Sequence, residues 1–137
     1  MKKLFRISVV TFIIINALTG CKKDSVDGRD AFAATYSVAE SWIENSKPLT
    51  KPAYTMSIEK SNVNSEKLLL RNFGNYGAGI TIEAMLKDKA ITINQQTLPN
   101  SNGIIGTGTF TDAGLTFTYT ETLGSASFVI TATAKKL

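Results

Sequence analysis

From Ala34 to the C-terminus, apolar residues recur at every second position, and this period of two restricts the chain more than any other feature. Tyr36, Val38 and Trp42 fall in one phase, as do Tyr54, Met56 and Ile58, then Ile80, Ile82, Ala84 and Leu86, and later Leu115, Phe117 and Tyr119 with threonines between. Such alternation puts one row of side chains in a core and the other in water, the pattern of half-buried β-strands. It predicts eight strands, at Thr35–Ile43, Ala53–Lys60, Leu68–Phe73, Gly79–Lys87, Ala90–Asn94, Ile104–Thr111, Leu115–Glu121 and Ala126–Lys135. Fifteen threonines follow Cys21, mostly in these segments, and threonine favours strands over helices.

The connections are those of a meander. Asp88-Lys89 is a tight link, Thr111-Asp112-Ala113-Gly114 places glycine where a short hairpin loop needs positive φ, and Leu123-Gly124-Ser125 is a third turn. Consecutive strands therefore pair antiparallel. An eight-stranded up-and-down barrel is the expected all-β fold, because closure removes the exposed edges of an open sheet. A two-sheet β-sandwich is the alternative, since period two does not report closure. Longer polar loops are expected at Glu44–Pro52, Gly74–Ala78 and Gln95–Gly103. The in-phase set of Tyr36, Leu68, Leu70, Ile82, Phe110, Phe117, Tyr119 and Ile130, with further aromatics and aliphatics, would occupy most of an eight-stranded barrel. Any cavity is then expected to be small and near one mouth. Glu40, Asn72 and Glu121 are polar residues in phase with the inner face, expected at strand ends where they reach water.

The residue inventory removes most catalytic chemistry. The chain of 137 residues has no histidine and a single cysteine, which excludes histidine-based triads, Cys/His zinc sites and an intramolecular disulfide. No catalytic, metal or cofactor site is assigned, and the chain is read as a non-enzyme. Acid–base chemistry would need a carboxylate pair such as Glu40 and Glu121. The net charge of +4 is concentrated at the N-terminus: Lys2, Lys3 and Arg6 precede Cys21 without an acid, leaving 12 basic and 11 acidic residues from there onward. No basic stripe remains to neutralise phosphates, so nucleic acid is excluded as a partner.

Those basic residues open a different signal. They are followed by an apolar run, Ile7–Ala17, too short to span a bilayer, and then by Leu18-Thr19-Gly20-Cys21. The tetrapeptide resembles the lipobox of bacterial lipoproteins. The resemblance implies that residues 1–20 are a signal peptide, that cleavage precedes Cys21, and that Cys21 carries the lipid that holds the protein to a membrane. Residues 21–31, rich in alternating charge, are read as a tether, and 32–137 as the barrel domain. The three aspartates of the tether do not have the spacing of a calcium loop. Its Lys/Asp-rich start resembles the export signals of Bacteroidota lipoproteins, implying an outer-membrane location in the cell envelope and exposure at the outer face. Asp24-Ser25-Val26 resembles a Bacteroidota O-glycosylation sequon, which would place a glycan on Ser25.

A second resemblance spans most of Phe32–Leu137. The series Tyr36-Ser37-Val38-Ala39-Glu40, Tyr54-Thr55-Met56-Ser57-Ile58, Asn72-Phe73-Gly74, Ile91-Thr92-Ile93 followed by Gln96, Gly106-Thr107-Gly108 and Leu115-Thr116-Phe117-Thr118-Tyr119 is similar to the small lipocalin-like, calycin-type barrel lipoproteins of Bacteroidota. Ala34 and Tyr36 stand where lipocalins have the Gly and Trp of Gly-x-Trp. Two functions remain open. One is a binding module for a small apolar or glycan ligand at the barrel mouth, with Glu40, Asn72, Tyr76 and Gln96 as candidate contacts and Tyr76 exposed on its glycine-rich loop. The other is a structural or interaction subunit, partnered with an envelope protein, whose filled barrel takes no small ligand.

Overall fold

The computed structural model describes residues 27–99 and 102–137. Cys21 and Ser25, with the proposed signal peptide, lie outside the described residues. Nine strands form one antiparallel sheet: β1 (Ala34–Glu44), β2 (Lys47–Thr50), β3 (Tyr54–Lys60), β4 (Lys67–Arg71), β5 (Thr81–Lys87), β6 (Ala90–Thr97), β7 (Gly103–Thr111), β8 (Gly114–Leu123) and β9 (Ala126–Lys136). From β3 to β9 each strand pairs with the next, and β9 pairs back onto β1 from Tyr36↔Lys136 to Trp42↔Ile130. The sheet is therefore a closed eight-stranded up-and-down barrel with one additional strand, and the open two-sheet sandwich is not what forms.

The additional strand, β2, lies inside the segment expected to be a loop. Asn45 and Ser46 both have positive φ, 50° and 61°, the backbone of a two-residue primed hairpin turn that returns the chain along β1 with Glu44 opposite Lys47. Pro48 has no N–H to donate, which is tolerated because β2 is bonded on one side only. The return strand then breaks at Lys51–Ala53, around Pro52, before β3 takes up the N-terminal half of β1.

Two local departures fill the barrel's ends. β4 stops at Arg71, short of the expected Phe73, because Asn72 turns into the left-handed region at φ 58°. The turn drives Phe73 into the interior, where its ring meets Phe117 edge-on at 5.0 Å and Tyr119 at 4.8 Å. At the opposite end the folded unit begins upstream of Phe32. A 3₁₀ turn at Gly28–Ala31, capped by Asp27, buries Arg29, whose Nη1 donates to the carbonyls of Ser61, Asn64 and Lys67. Phe32 stacks on Phe110 at 4.0 Å and Tyr36 Oη donates to the Phe32 carbonyl at 2.8 Å, closing this end.

Between the ends, the inward rows interlock. Leu68, Leu70, Ile82, Ile93 and Ala132 are fully buried, with Tyr36, Val38, Met56, Ile58, Phe117 and Tyr119 around them. The expected register is the observed one, with Phe117 buried and Thr118 exposed. Gly106 and Gly108 occupy inward positions of β7 opposite Tyr119 and Phe117, and a side chain at either would collide with those residues. The missing side chains are what let two aromatic residues lie against the β7 backbone.

Candidate functional site

The end of the barrel away from the Gly28–Ala31 turn is formed by the β1–β2 hairpin, the Lys51–Ala53 break, the Asn72–Ile80 connection and the β8–β9 turn. The inward phase of β1 brings Glu40 just below this mouth, between Val38 and Trp42 and opposite the small Ala132 of β9. The expectation that Glu40 reaches water does not hold, because its side chain is completely buried. Burial is tolerated because Oε1 is hydrogen-bonded and Oε2, which has no hydrogen bond, is paired with a cation. Oε1 accepts from Tyr54 Oη at 2.5 Å and Tyr119 Oη at 2.8 Å, and Oε2 faces the Lys51 ammonium at 3.1 Å.

Each partner is itself positioned. Tyr54 Oη accepts from the Gly74 N–H at 2.9 Å, so the Phe73–Asn75 turn fixes the phenol that holds Glu40. Lys51, in the break between β2 and β3, donates to the Gly74 carbonyl at 3.2 Å and lies 5.8 Å from the centre of the Tyr76 ring. Burial, followed by the charge and hydrogen bond of Glu40, pushes the Tyr54 and Tyr119 hydroxyls far above the ordinary phenol pKa.

Tyr76 is not the exposed contact its glycine-rich loop suggests. Gly74 has φ 65° and no side chain, and the Tyr76 ring folds back over it into the space a Cβ would fill. The hydroxyl is buried near the Glu121 carboxylate, and burial first, then the charge and hydrogen bonding of Glu121, raise its pKa. Glu121 in turn accepts from Asn102 Nδ2 at 2.8 Å.

The other two candidate contacts have their amides committed to the backbone. Asn72 Nδ2 donates to the Thr55 carbonyl at 2.7 Å and Oδ1 accepts from the Gly77 N–H at 2.8 Å, so the side chain ties its own turn to β3. Gln96 lies just past a bulge in β6, where the ladder with β5 has ended. Its amide replaces the lost ladder bonds, accepting from Glu83 N at 2.9 Å and donating to Glu83 O at 2.7 Å. Among the candidates, the fold thus brings Glu40 and Tyr76 together and sets Asn72 and Gln96 to structural tasks. Nothing in the sequence marks Lys51, one lysine in a polar segment between Pro48 and Pro52.

Above the Glu40 cluster lies a cavity of about 200 Å³, open to solvent and lined by Trp42, Glu44, Lys51, Glu121, Phe128 and Ile130. Two aromatic side chains and an isoleucine provide apolar walls, while two carboxylates and one ammonium provide polar ones. A second cavity of about 330 Å³ lies at the opposite end, against Phe32, Tyr36 and Phe110 and the β7–β8 turn. It is larger, but Asp112, Ala113 and other exposed turn residues make up much of its lining, and buried polar side chains do not converge there. Among the described residues, no group of three or more cysteines or carboxylates is placed to hold a metal, and no helix is long and apolar enough to cross a membrane.

No protein-family model and no curated protein sequence matches the chain. The class is therefore defined by architecture: a small, closed, antiparallel β-barrel consistent with a lipocalin-like fold, filled along its length and carrying a polar cluster at one mouth.

Proposed function

We propose that this chain is a lipid-anchored binding module of the cell envelope that takes a small apolar or glycan ligand at the mouth of its barrel, and that it is not an enzyme. The observation that carries the reading is the cavity above Glu40, where Trp42, Phe128 and Ile130 share one small space with Glu44, Lys51 and Glu121. Apolar walls with a few convergent polar groups are the usual make-up of a ligand site. At about 200 Å³ the space suits a head group or a single ring, below the roughly 300–1,000 Å³ of sites that enclose larger ligands.

The anchor rests on the lipobox resemblance at Cys21, six residues before Asp27. Asp27 begins the segment that closes the far end of the barrel, so a lipid on Cys21 would leave the mouth facing away from the bilayer. That orientation suits capture of a ligand from outside the membrane, and an outer-membrane location follows from the same sequence signals. A glycan on Ser25 would sit on this membrane-side linker.

The test has two arms. Mass spectrometry of the protein from its native envelope should find mature Cys21 lipidated, and Cys21→Ala should release the domain to the soluble fraction. A glycan and lipid screen should yield a ligand whose binding is lost in Trp42→Ala and Phe128→Ala. Tight binding of a long-chain lipid, blocked by Ala84→Leu or Ala132→Leu and indifferent to Trp42, would place the ligand inside the barrel and overturn the reading.

A second reading, an interaction subunit of an envelope assembly, is favoured by the outer surface. Ile105, Thr120 and Val129 are successive partners across β7, β8 and β9, and Val129 lies one step beyond the Ile130↔Trp42 pair, beside Ile43. Ile105, Val129 and Ile43 are all exposed, which gives an apolar row around the outside near the mouth.

A further inference from the structure

The mouth holds one alkylammonium group already, that of Lys51. Its Nζ is held by a carboxylate oxygen of Glu40 at 3.1 Å and a backbone carbonyl of Gly74 at 3.2 Å, with the Tyr76 ring 5.8 Å from Nζ. Carboxylate, carbonyl and aromatic face are the groups that recognise an organic cation. The adjoining cavity presents similar chemistry on a second set of residues. Glu44 and Glu121 supply carboxylates, and Trp42 and Phe128 supply aromatic side chains.

The charge balance differs between the two sets. Glu40 and Lys51 neutralise each other, whereas neither Glu44 nor Glu121 forms a salt bridge among the described residues. Lys47, opposite Glu44 in the β1–β2 register, makes no ion pair with it. Glu121 accepts a hydrogen bond from the neutral Asn102 amide, which leaves its charge in place, so among the described residues the cavity has two carboxylates without a paired cation beside tryptophan, the ring with the strongest attraction for cations. Low-dielectric walls of Phe128 and Ile130 strengthen that field over its value in open water.

We propose that the barrel mouth selects small organic cations, a primary or quaternary ammonium carried on an apolar group, with the charged head between Glu44 and Glu121 and the apolar part against Trp42, Phe128 and Ile130. The proposal rests on the mouth-binding reading above and narrows its ligand to one charge class. Lys51 acts beside it as the counter-charge that keeps Glu40 buried and out of the recognition set.

Trp42 is the sole tryptophan of the chain, so its fluorescence reports this cavity directly. The full-length protein in detergent is titrated with benzylamine, benzyl alcohol and benzoate, three probes of one shape and different charge. Benzylamine is expected to shift the emission saturably, benzyl alcohol to bind at least about tenfold more weakly, a difference of about 1.4 kcal/mol, and benzoate not to bind. Glu121→Gln and Glu44→Gln should each weaken benzylamine several-fold and leave benzyl alcohol unchanged. Glu44 is exposed, so its variant serves where the other does not fold, and thermal melts verify both. Equal binding of the amine and the alcohol, unaffected by both variants, overturns cation selection and leaves the mouth pocket standing. No saturable response to any probe, together with no ligand from the glycan and lipid screen, overturns both.

Discussion

Glu40 is the residue on which the mouth turns. A carboxylate with no exposed side-chain surface sits inside a barrel because an ammonium pairs with it and two phenols donate to it, and the two phenol hydrogen bonds, made to a charged acceptor, are of the strong kind. Tyr119→Phe should therefore cost about 1.5–3 kcal/mol in urea denaturation, the range for hydrogen bonds to charged groups. Tyr36→Phe, which removes a bond to the neutral Phe32 carbonyl at the closed end, should cost about 0.5–1.5 kcal/mol. Equal costs for the two would mean that Glu40 does not depend on its phenols. Alternation made Glu40 legible in the sequence as an inward polar residue, but not its partners. Tyr119 lies 79 positions away, and nothing local marks Lys51. Tyr76 shows the opposite error: a loop with several glycines reads as exposed, yet the absence of a side chain at Gly74 is what gives the ring a place to fold.

At the scale of elements, the strands were legible and their ends were not. Each strand carries its own alternation, so β1 and β3–β9 appear in the sequence within a few residues of their bounds. β2 carries none: Lys47-Pro48-Leu49-Thr50 is exposed throughout and exists because Asn45 and Ser46 accept positive φ. The close approach of β7 and β8 is a second feature that packing sets. A Cβ at Gly106 would lie 2.5 Å from Tyr119 Cβ and 2.8 Å from the Thr118 carbonyl oxygen, so part of the clash is with backbone that cannot swing aside. Gly106→Ala is expected to destabilise by about 1–3 kcal/mol, as overpacking does. Gly103→Ala meets Thr122 Cβ at an ordinary 3.6 Å and should be tolerated, a contrast that denaturant midpoints will show.

At the scale of the molecule, stability resides in the filled interior. Phe117→Ala should cost about 3–5 kcal/mol, the range for a buried aromatic, while the exposed Thr118→Ala stays within about 0.5 kcal/mol. The reverse order in chemical melts would place the register one residue out. The barrel also makes a collective prediction for alkaline pH. All four tyrosines have raised pKa values, with burial the largest cause in each. A group whose pKa rises on folding contributes its stability in full below the unfolded-state value, about 10 for tyrosine, and loses it as pH climbs further. Absorbance titration should therefore show no tyrosinate while the fold persists, then ionisation of all four together with cooperative unfolding. Early ionisation of a single tyrosine would show that its hydroxyl is wetter than its burial indicates.

The sequence by itself determined which segments are strands and which side chains face inward, because a period of two is a property of neighbours along the chain. It also determined the expectation of a filled interior, since the in-phase residues are large. Tertiary structure alone decided three things. Closure depends on β1 meeting β9, an encounter between the two ends of the barrel domain that alternation cannot encode. Phe73 enters the core because Asn72 turns left-handed at φ 58°, a conformation that residues of many kinds could refuse or accept. And the mouth is a site because Lys51, from a break between strands, meets a carboxylate held by the phenols of Tyr54 and Tyr119, 14 and 79 positions along the chain, and a buried charge is stable only where the fold assembles its partners.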